Sequence, residues 1–149
     1  MLIVSDRIKE KIKQHAERDY PDECGGMLIG RFLDGGDKEI VETFPIANAR
    51  EDSRHNRVLL LPEDVLKAEK HARDVKLDVI GYYHSHPNAP AVPSQYDLDH
   101  ALPVWSYVIV SVIEGEAVDV ASWEMEDDRT KFNEEKLESF EEQSIWQSR

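Results

Sequence analysis

Residues 77–86, Leu-Asp-Val-Ile-Gly-Tyr-Tyr-His-Ser-His, read as a mostly apolar strand that ends in two histidines one residue apart, with Pro87 next. Alternate side chains of a strand face the same side, so His84 and His86 project together and can share one ion. Pro87 biases His86 toward extended geometry and keeps that alignment at the strand end. Six residues follow, with Pro90 and Pro93 keeping the loop extended, before Ser94 opens a short helix that Pro103 ends. Asp97 lies in the first turn of that helix, eleven positions after His86. Strand end, stiff loop and helix start are thereby required to meet at one point. Two imidazoles and one carboxylate offer zinc three protein ligands and leave the fourth position to water, the arrangement of a catalytic site and not of a closed structural one. Taken separately, each piece has a plainer reading. A His-x-His pair is commonplace on surface or core strands, and Ser94-x-x-Asp97 is a helix capping box. The conjunction at this spacing is what points to metal chemistry.

The rest of the chain supplies a scaffold. Ser5 reads as an N-cap, and Ile8, Ile12 and Ala16 give residues 6–18 the apolar stripe of a helix, with Pro21 blocking its continuation. Met27 to Leu33 and Glu39 to Phe44 read as strands around an Asp34-Gly35-Gly36-Asp37 turn. Residues 47–57 are polar and read as loop, and Val58 to Leu61 as a short strand. Pro62 suits the first position of a second helix, with Glu63 and Asp64 near its positive end and Val65, Ala68, Ala72 and Val75 as its buried stripe. Val104 to Ile113, a Glu114-Gly115 turn and Glu116 to Met125 form a hairpin. Residues 133–149 are an acidic tail, expected to be helical along Leu137, Phe140, Ser144 and Ile145 or else disordered, so the folded domain is expected over residues 1–132. The order α-β-β-β-α-β-α-β-β gives an α/β sandwich around a mixed sheet.

Composition excludes several classes. The 149 residues suit one domain, and no apolar run approaches the roughly 18 residues of a membrane span. A formal net charge of −13 opposes binding to nucleic acid or to an anionic membrane, both of which need basic residues. The one cysteine, Cys24, excludes an internal disulfide and a Cys-rich zinc site. With no secretory signal at Met1 to Val4, the expectation is a cytoplasmic protein.

The segment His84-Ser85-His86-Pro87, six residues, Ser94, two residues, Asp97 resembles the signature of the JAMM metallopeptidases, also called the MPN or Mov34 family. Pro21 to Gly30 resembles that family's acidic segment entering its first strand, and the resemblance extends over roughly residues 1–125. It implies a mixed, largely antiparallel sheet flanked by helices, a three-layer sandwich related to that of cytidine deaminases. It implies zinc on His84, His86 and Asp97, Glu23 as general base, and Ser94 as hydrogen-bond donor to the oxyanion. It further implies hydrolysis of a peptide or isopeptide bond after the C-terminal Gly-Gly of a ubiquitin-like or sulfur-carrier protein. Spacing alone does not single out Glu23 from the other acidic residues. The alternative is a non-catalytic MPN-type interaction module, against which the full set of five residues argues. A zinc nucleoside deaminase would need a Cys-x-x-Cys pair, which one cysteine cannot supply, and the His-Glu-x-x-His motif of other zinc proteases is absent. Cys24 beside Glu23 and His100 one turn beyond Asp97 are the remaining candidates near the site. Asn56 and Arg57 are candidates for lining a substrate groove.

Overall fold

The computed structural model describes residues 1–47 and 61–142. Most of the loop expected at 47–57, all but Leu61 of the strand expected at Val58 to Leu61, Asn56 and Arg57, and Ser144 and Ile145 of the expected tail helix lie outside the described residues. Helix α1 (Asp6–Asp19) is capped by Ser5, whose Oγ accepts from the Ile8 amide at 3.2 Å, and it buries Ile8, Ile12, His15 and Ala16. Helix α2 (Pro62–Asp74) starts on its proline, and the Asp64 carboxylate accepts from the Leu61 amide at 3.1 Å. It buries Ala68 and Ala72. Val75, expected in the same stripe, is exposed because the helix ends at Asp74 and Val75 sits in its cap. Helix α3 (Gln95–His100) is the short helix that follows Ser94.

Among the described residues, eight strands form one sheet in the order β7-β6-β5-β4-β2-β3-β1-β8. They are β1 (Leu2–Ser5), β2 (Gly25–Phe32), β3 (Lys38–Ile46), β4 (Asp78–Pro87), β5 (Ser106–Ile113), β6 (Glu116–Met125), β7 (Phe132–Glu135) and β8 (Leu137–Phe140). Four junctions are antiparallel (β2–β3, β2–β4, β5–β6, β6–β7) and three are parallel (β1–β3, β1–β8, β4–β5). Helix α1 covers one face through Ile8, Ile12 and Ala16 against Leu28, Ile80, Tyr83 and Val110. Helix α2 covers the other through Ala68 and Ala72 against Met27, Ile29, Tyr82 and Tyr107. The result is the expected α/β architecture of three layers around a mixed sheet. Gly81 is required where β4 meets β5, since a Cβ there would stand 2.1 Å from the Ser106 carbonyl oxygen. Among the described residues no helix is long and apolar enough to cross a membrane.

Over its described residues the tail differs from expectation. Residues 132–135 and 137–140 are neither helical nor disordered but are strands β7 and β8. Strand pairing decides this against local propensity. β7 pairs with β6 from Ser122↔Glu135 to Met125↔Phe132, and β8 pairs in parallel with β1 from Leu2↔Leu137 to Ser5↔Phe140. Both are short, charged outer strands, a composition that discourages further pairing at a sheet edge. Only Lys136 separates them, yet they occupy opposite ends of the strand order, so the sheet curls until its two margins meet. The seam is polar and buried. Lys38 on β3 lies 2.9 Å from Glu124 and 3.4 Å from Glu135, and the Glu135 carboxylate also accepts from Ser106 Oγ at 2.7 Å and Ser122 Oγ at 2.9 Å.

Candidate metal centre

The site forms at the C-terminal end of β4, on the face that carries α2. Tyr82, His84 and His86 share that face by strand alternation, and the Tyr82 ring stacks on His84 at 5.5 Å and 23°. His84 is buried and His86 partly so. The Nε2 atoms of the two histidines lie 3.1 Å apart. Asp97 Oδ1 is 3.2 Å from His84 Nε2 and its Oδ2 is 3.5 Å from His86 Nε2. These distances suit a metal. Zinc–nitrogen bonds of about 2.0–2.1 Å at tetrahedral angles make ligand-to-ligand edges of ~3.3 Å. The three residues are the one group of metal-ligating side chains found among the described residues, with all ligand atoms within 4.8 Å of one another.

Local structure fixes the roles of individual atoms. His86 Nδ1–H donates to the Pro90 carbonyl at 3.0 Å. A carbonyl only accepts, so that proton sits on Nδ1 and the Nε2 lone pair faces the site. His84 Nδ1 is buried and has no hydrogen-bond partner among the described residues. Ser94 and Asp97 form a reciprocal capping box: the Ser94 amide donates to Asp97 Oδ2 at 2.8 Å and the Asp97 amide to Ser94 Oγ at 3.2 Å. Capping and approach to the histidines are therefore one geometry, in which Asp97 serves both.

The charges are coupled. Burial disfavours an ionised Asp97, but its close contacts with the His84 and His86 imidazoles, with the hydrogen bond from the Ser94 amide, hold its pKa far below the usual carboxylate range. Burial also disfavours a charged His86, yet the Asp97 carboxylate, the Pro90 carbonyl and Glu23 raise its pKa above the ordinary value. A cation held at this imidazole would thus compete with a proton for it.

Glu23 lies just before β2, largely buried. Gly25 pairs with His84 on β4, the Ser85 amide donates to the Cys24 carbonyl at 3.1 Å, and the Cys24 amide donates to Ser85 Oγ at 2.8 Å. Continuing this antiparallel register puts Glu23 level with His86, on the face shared by His84 and His86. Ser85, between the histidines but on the other face, is buried and anchors the segment that carries Glu23. Cys24 is buried and its thiol is pushed up to about 12 by burial, which leaves no thiolate for nucleophilic attack near neutrality. His100 is exposed, stacked on Tyr96 at 4.1 Å, with its Nδ1–H donating to the Tyr96 carbonyl at 2.8 Å. His15 and His71 lie elsewhere, against Tyr83 and Glu42 respectively.

Sequence reasoning missed Tyr82 and Pro90. Tyr82 was discoverable from the two-residue period that aligns it with His84. The Pro90 contribution is a backbone carbonyl, for which the sequence carries no sign.

A family model described as prokaryotic homologs of the JAB domain matches residues 5–126. A probable TtuB-protein conjugate cleaving protease of Thermus thermophilus is 32% identical over 109 residues, 73% of this chain and 69% of that protein. The desampylase of Haloferax volcanii is 33% identical over 110 residues, 71% and 74% of the respective chains. The CysO-cysteine peptidase of Mycobacterium tuberculosis is 31% identical over 112 residues, 74% and 73%. Among solved structures, protein DSY2949 of Desulfitobacterium hafniense superposes with a TM-score of 0.81 at 29% identity over 95% of this chain and 94% of that one. A JAB1/MPN domain protein of Archaeoglobus fulgidus shares the fold, with a TM-score of 0.56 at 20% identity over 95% and 100%. With the family model spanning most of the chain and the same fold recurring in a JAB1/MPN protein, this chain belongs to the prokaryotic JAB/MPN family.

Proposed function

We propose that this chain is a zinc-dependent peptidase that hydrolyses the peptide or isopeptide bond after the C-terminal Gly-Gly of a ubiquitin-like or sulfur-carrier protein. The observation that carries this reading is the convergence of His84 Nε2, His86 Nε2 and the Asp97 carboxylate at ligand-to-ligand distances. His84, His86 and Asp97 would hold the metal. A zinc ion held there would supply a Lewis acid and lower the pKa of water to about 7. Glu23, level with His86, accepts the proton of the attacking water and returns it to the departing nitrogen. The exposed Ser94 hydroxyl donates to the oxyanion that develops on the scissile carbonyl. Relatives named for cleaving TtuB conjugates, for desampylation and for acting on CysO-cysteine support this class of substrate.

The substrate reaches the strand end as an extended tail. Glycine before the scissile bond lets the carbonyl approach His84, His86 and Ser94 with no side chain in the way. The test compares three substrates by mass spectrometry: a ubiquitin-fold carrier ending in Gly-Gly plus one extra residue, the same carrier with the glycine at the cleavage site changed to valine, and a free peptide of the same tail. The zinc-loaded protein is expected to cut the first after its second glycine and the other two far more slowly. Equal cleavage of all three would show a general peptidase, and no cleavage of the first would overturn the assignment.

A further inference from the structure

The loop between β4 and α3 is held by side chains of the strands beneath it. Ser111 Oγ–H on β5 donates to the Ala89 carbonyl at 2.6 Å, His86 Nδ1–H on β4 to the Pro90 carbonyl at 3.0 Å, and Trp123 Nε1–H on β6 to the Ala91 carbonyl at 3.0 Å. Three successive carbonyls are thus each taken by a side chain from one of three adjacent strands. The loop contributes few donors of its own, since Pro90 and Pro93 have no N–H, so its carbonyls depend on the strands beneath. Both ends of this row are anchored as well. The Asn88 amide donates to the Val112 carbonyl at 2.6 Å, and Ala91 is buried against Ile109, Ala121 and Trp123.

We propose that Ser111 and Trp123 are positioning residues for the metal centre, acting through the Ala89 and Ala91 carbonyls on His86 and Asp97. The inference rests on the metal-binding reading above. Ala91 lies between the carbonyl that fixes His86 and the Ser94–Asp97 capping box. Fixing Ala89 and Ala91 on either side of Pro90 sets the direction of the Pro90 carbonyl, and that direction decides which His86 nitrogen carries the proton. It also sets where the chain enters Ser94, and hence where the Asp97 carboxylate stands. Outer contacts that orient ligands typically change metal affinity by about 10–100-fold, and residues acting one bond further out belong at the lower end of that range.

Zinc affinity, measured by competition with a chromophoric chelator, is compared among the parent, Trp123→Phe, Ser111→Ala and Val120→Ala. Phenylalanine keeps the ring and removes the N–H. Val120 lies on the same strand as Trp123 but packs into the core under α1, so it reports loss of stability without loss of the loop contact. Chelator-stripped unfolding midpoints accompany each value. Trp123→Phe and Ser111→Ala are each expected to weaken zinc by ~10-fold, while Val120→Ala binds as the parent does at an equal or lower midpoint. A second readout needs no metal: long-range proton–nitrogen NMR of neutral His86 should show protonation at Nδ1 in the parent and a tautomer mixture in Trp123→Phe. Parent-like affinity and tautomer in both variants, or an equal loss in Val120→Ala, would overturn the inference. A parent that binds no zinc would overturn the metal reading itself, and the tautomer comparison would then decide whether the loop clamp acts on His86.

Discussion

Asp97 is asked to do two things that often exclude one another. As the third helical position of α3 its Oδ2 accepts from the Ser94 amide, and both oxygens face imidazole nitrogens within 3.5 Å. The capping bond lowers the freedom of the carboxylate before any ligand arrives, a form of preorganisation. Glu23 stands apart from this group. Its proposed work is proton transfer, so Glu23→Gln should retain zinc and lose ~10²-fold or more in turnover. Near-parent turnover in that variant, with zinc bound, would remove Glu23 from the mechanism. The three ligand candidates were legible because strand alternation and the capping box at a helix start are both written in local sequence. Glu23 was legible only through resemblance, as nothing in its own segment separates it from neighbouring acids. Ser111 and Trp123 were not legible, because they act on backbone carbonyls whose positions exist only in the folded chain.

Among elements, α1, α2, α3 and strands β2 to β6 follow from caps, prolines and apolar periodicity, with ends displaced by a residue or two. β1 was missed because four residues that run directly into a helix carry too little pattern. β7 and β8 were missed because Phe132 to Phe140 is dominated by charge, and its strand character comes from partners distant in sequence. Glu135 gives those strands their hold. Its carboxylate is almost wholly buried beside Lys38, Ser106 and Ser122. Breaking a buried pair by removing one partner costs about 3–5 kcal/mol. Because Glu124 also reaches Lys38, the lower end applies: Glu135→Ala should lose about 3 kcal/mol in denaturant unfolding, and Lys38→Met with Glu135→Leu should recover most of it. A loss under about 1 kcal/mol in Glu135→Ala would show that the seam does not hold the tail strands in place.

On the scale of the molecule, the curled sheet separates two polar regions. The Lys38–Glu135 seam involves the start of β5 at Ser106, whereas the candidate metal centre lies at the far ends of β4 and β5, where His86 pairs with Ser111. One region closes the fold, and the other lies beside α3 and the 88–93 loop. The most direct test of the metal centre is equilibrium zinc binding by chelator-stripped parent, His84→Ala and Asp97→Ala proteins, each first shown to be folded. The parent is expected to bind one zinc per chain, and each variant to lose more than the ~100-fold that marks the upper range for outer contacts. Parent-like zinc affinity in either variant would contradict the assignment of His84, His86 and Asp97 as the ligands.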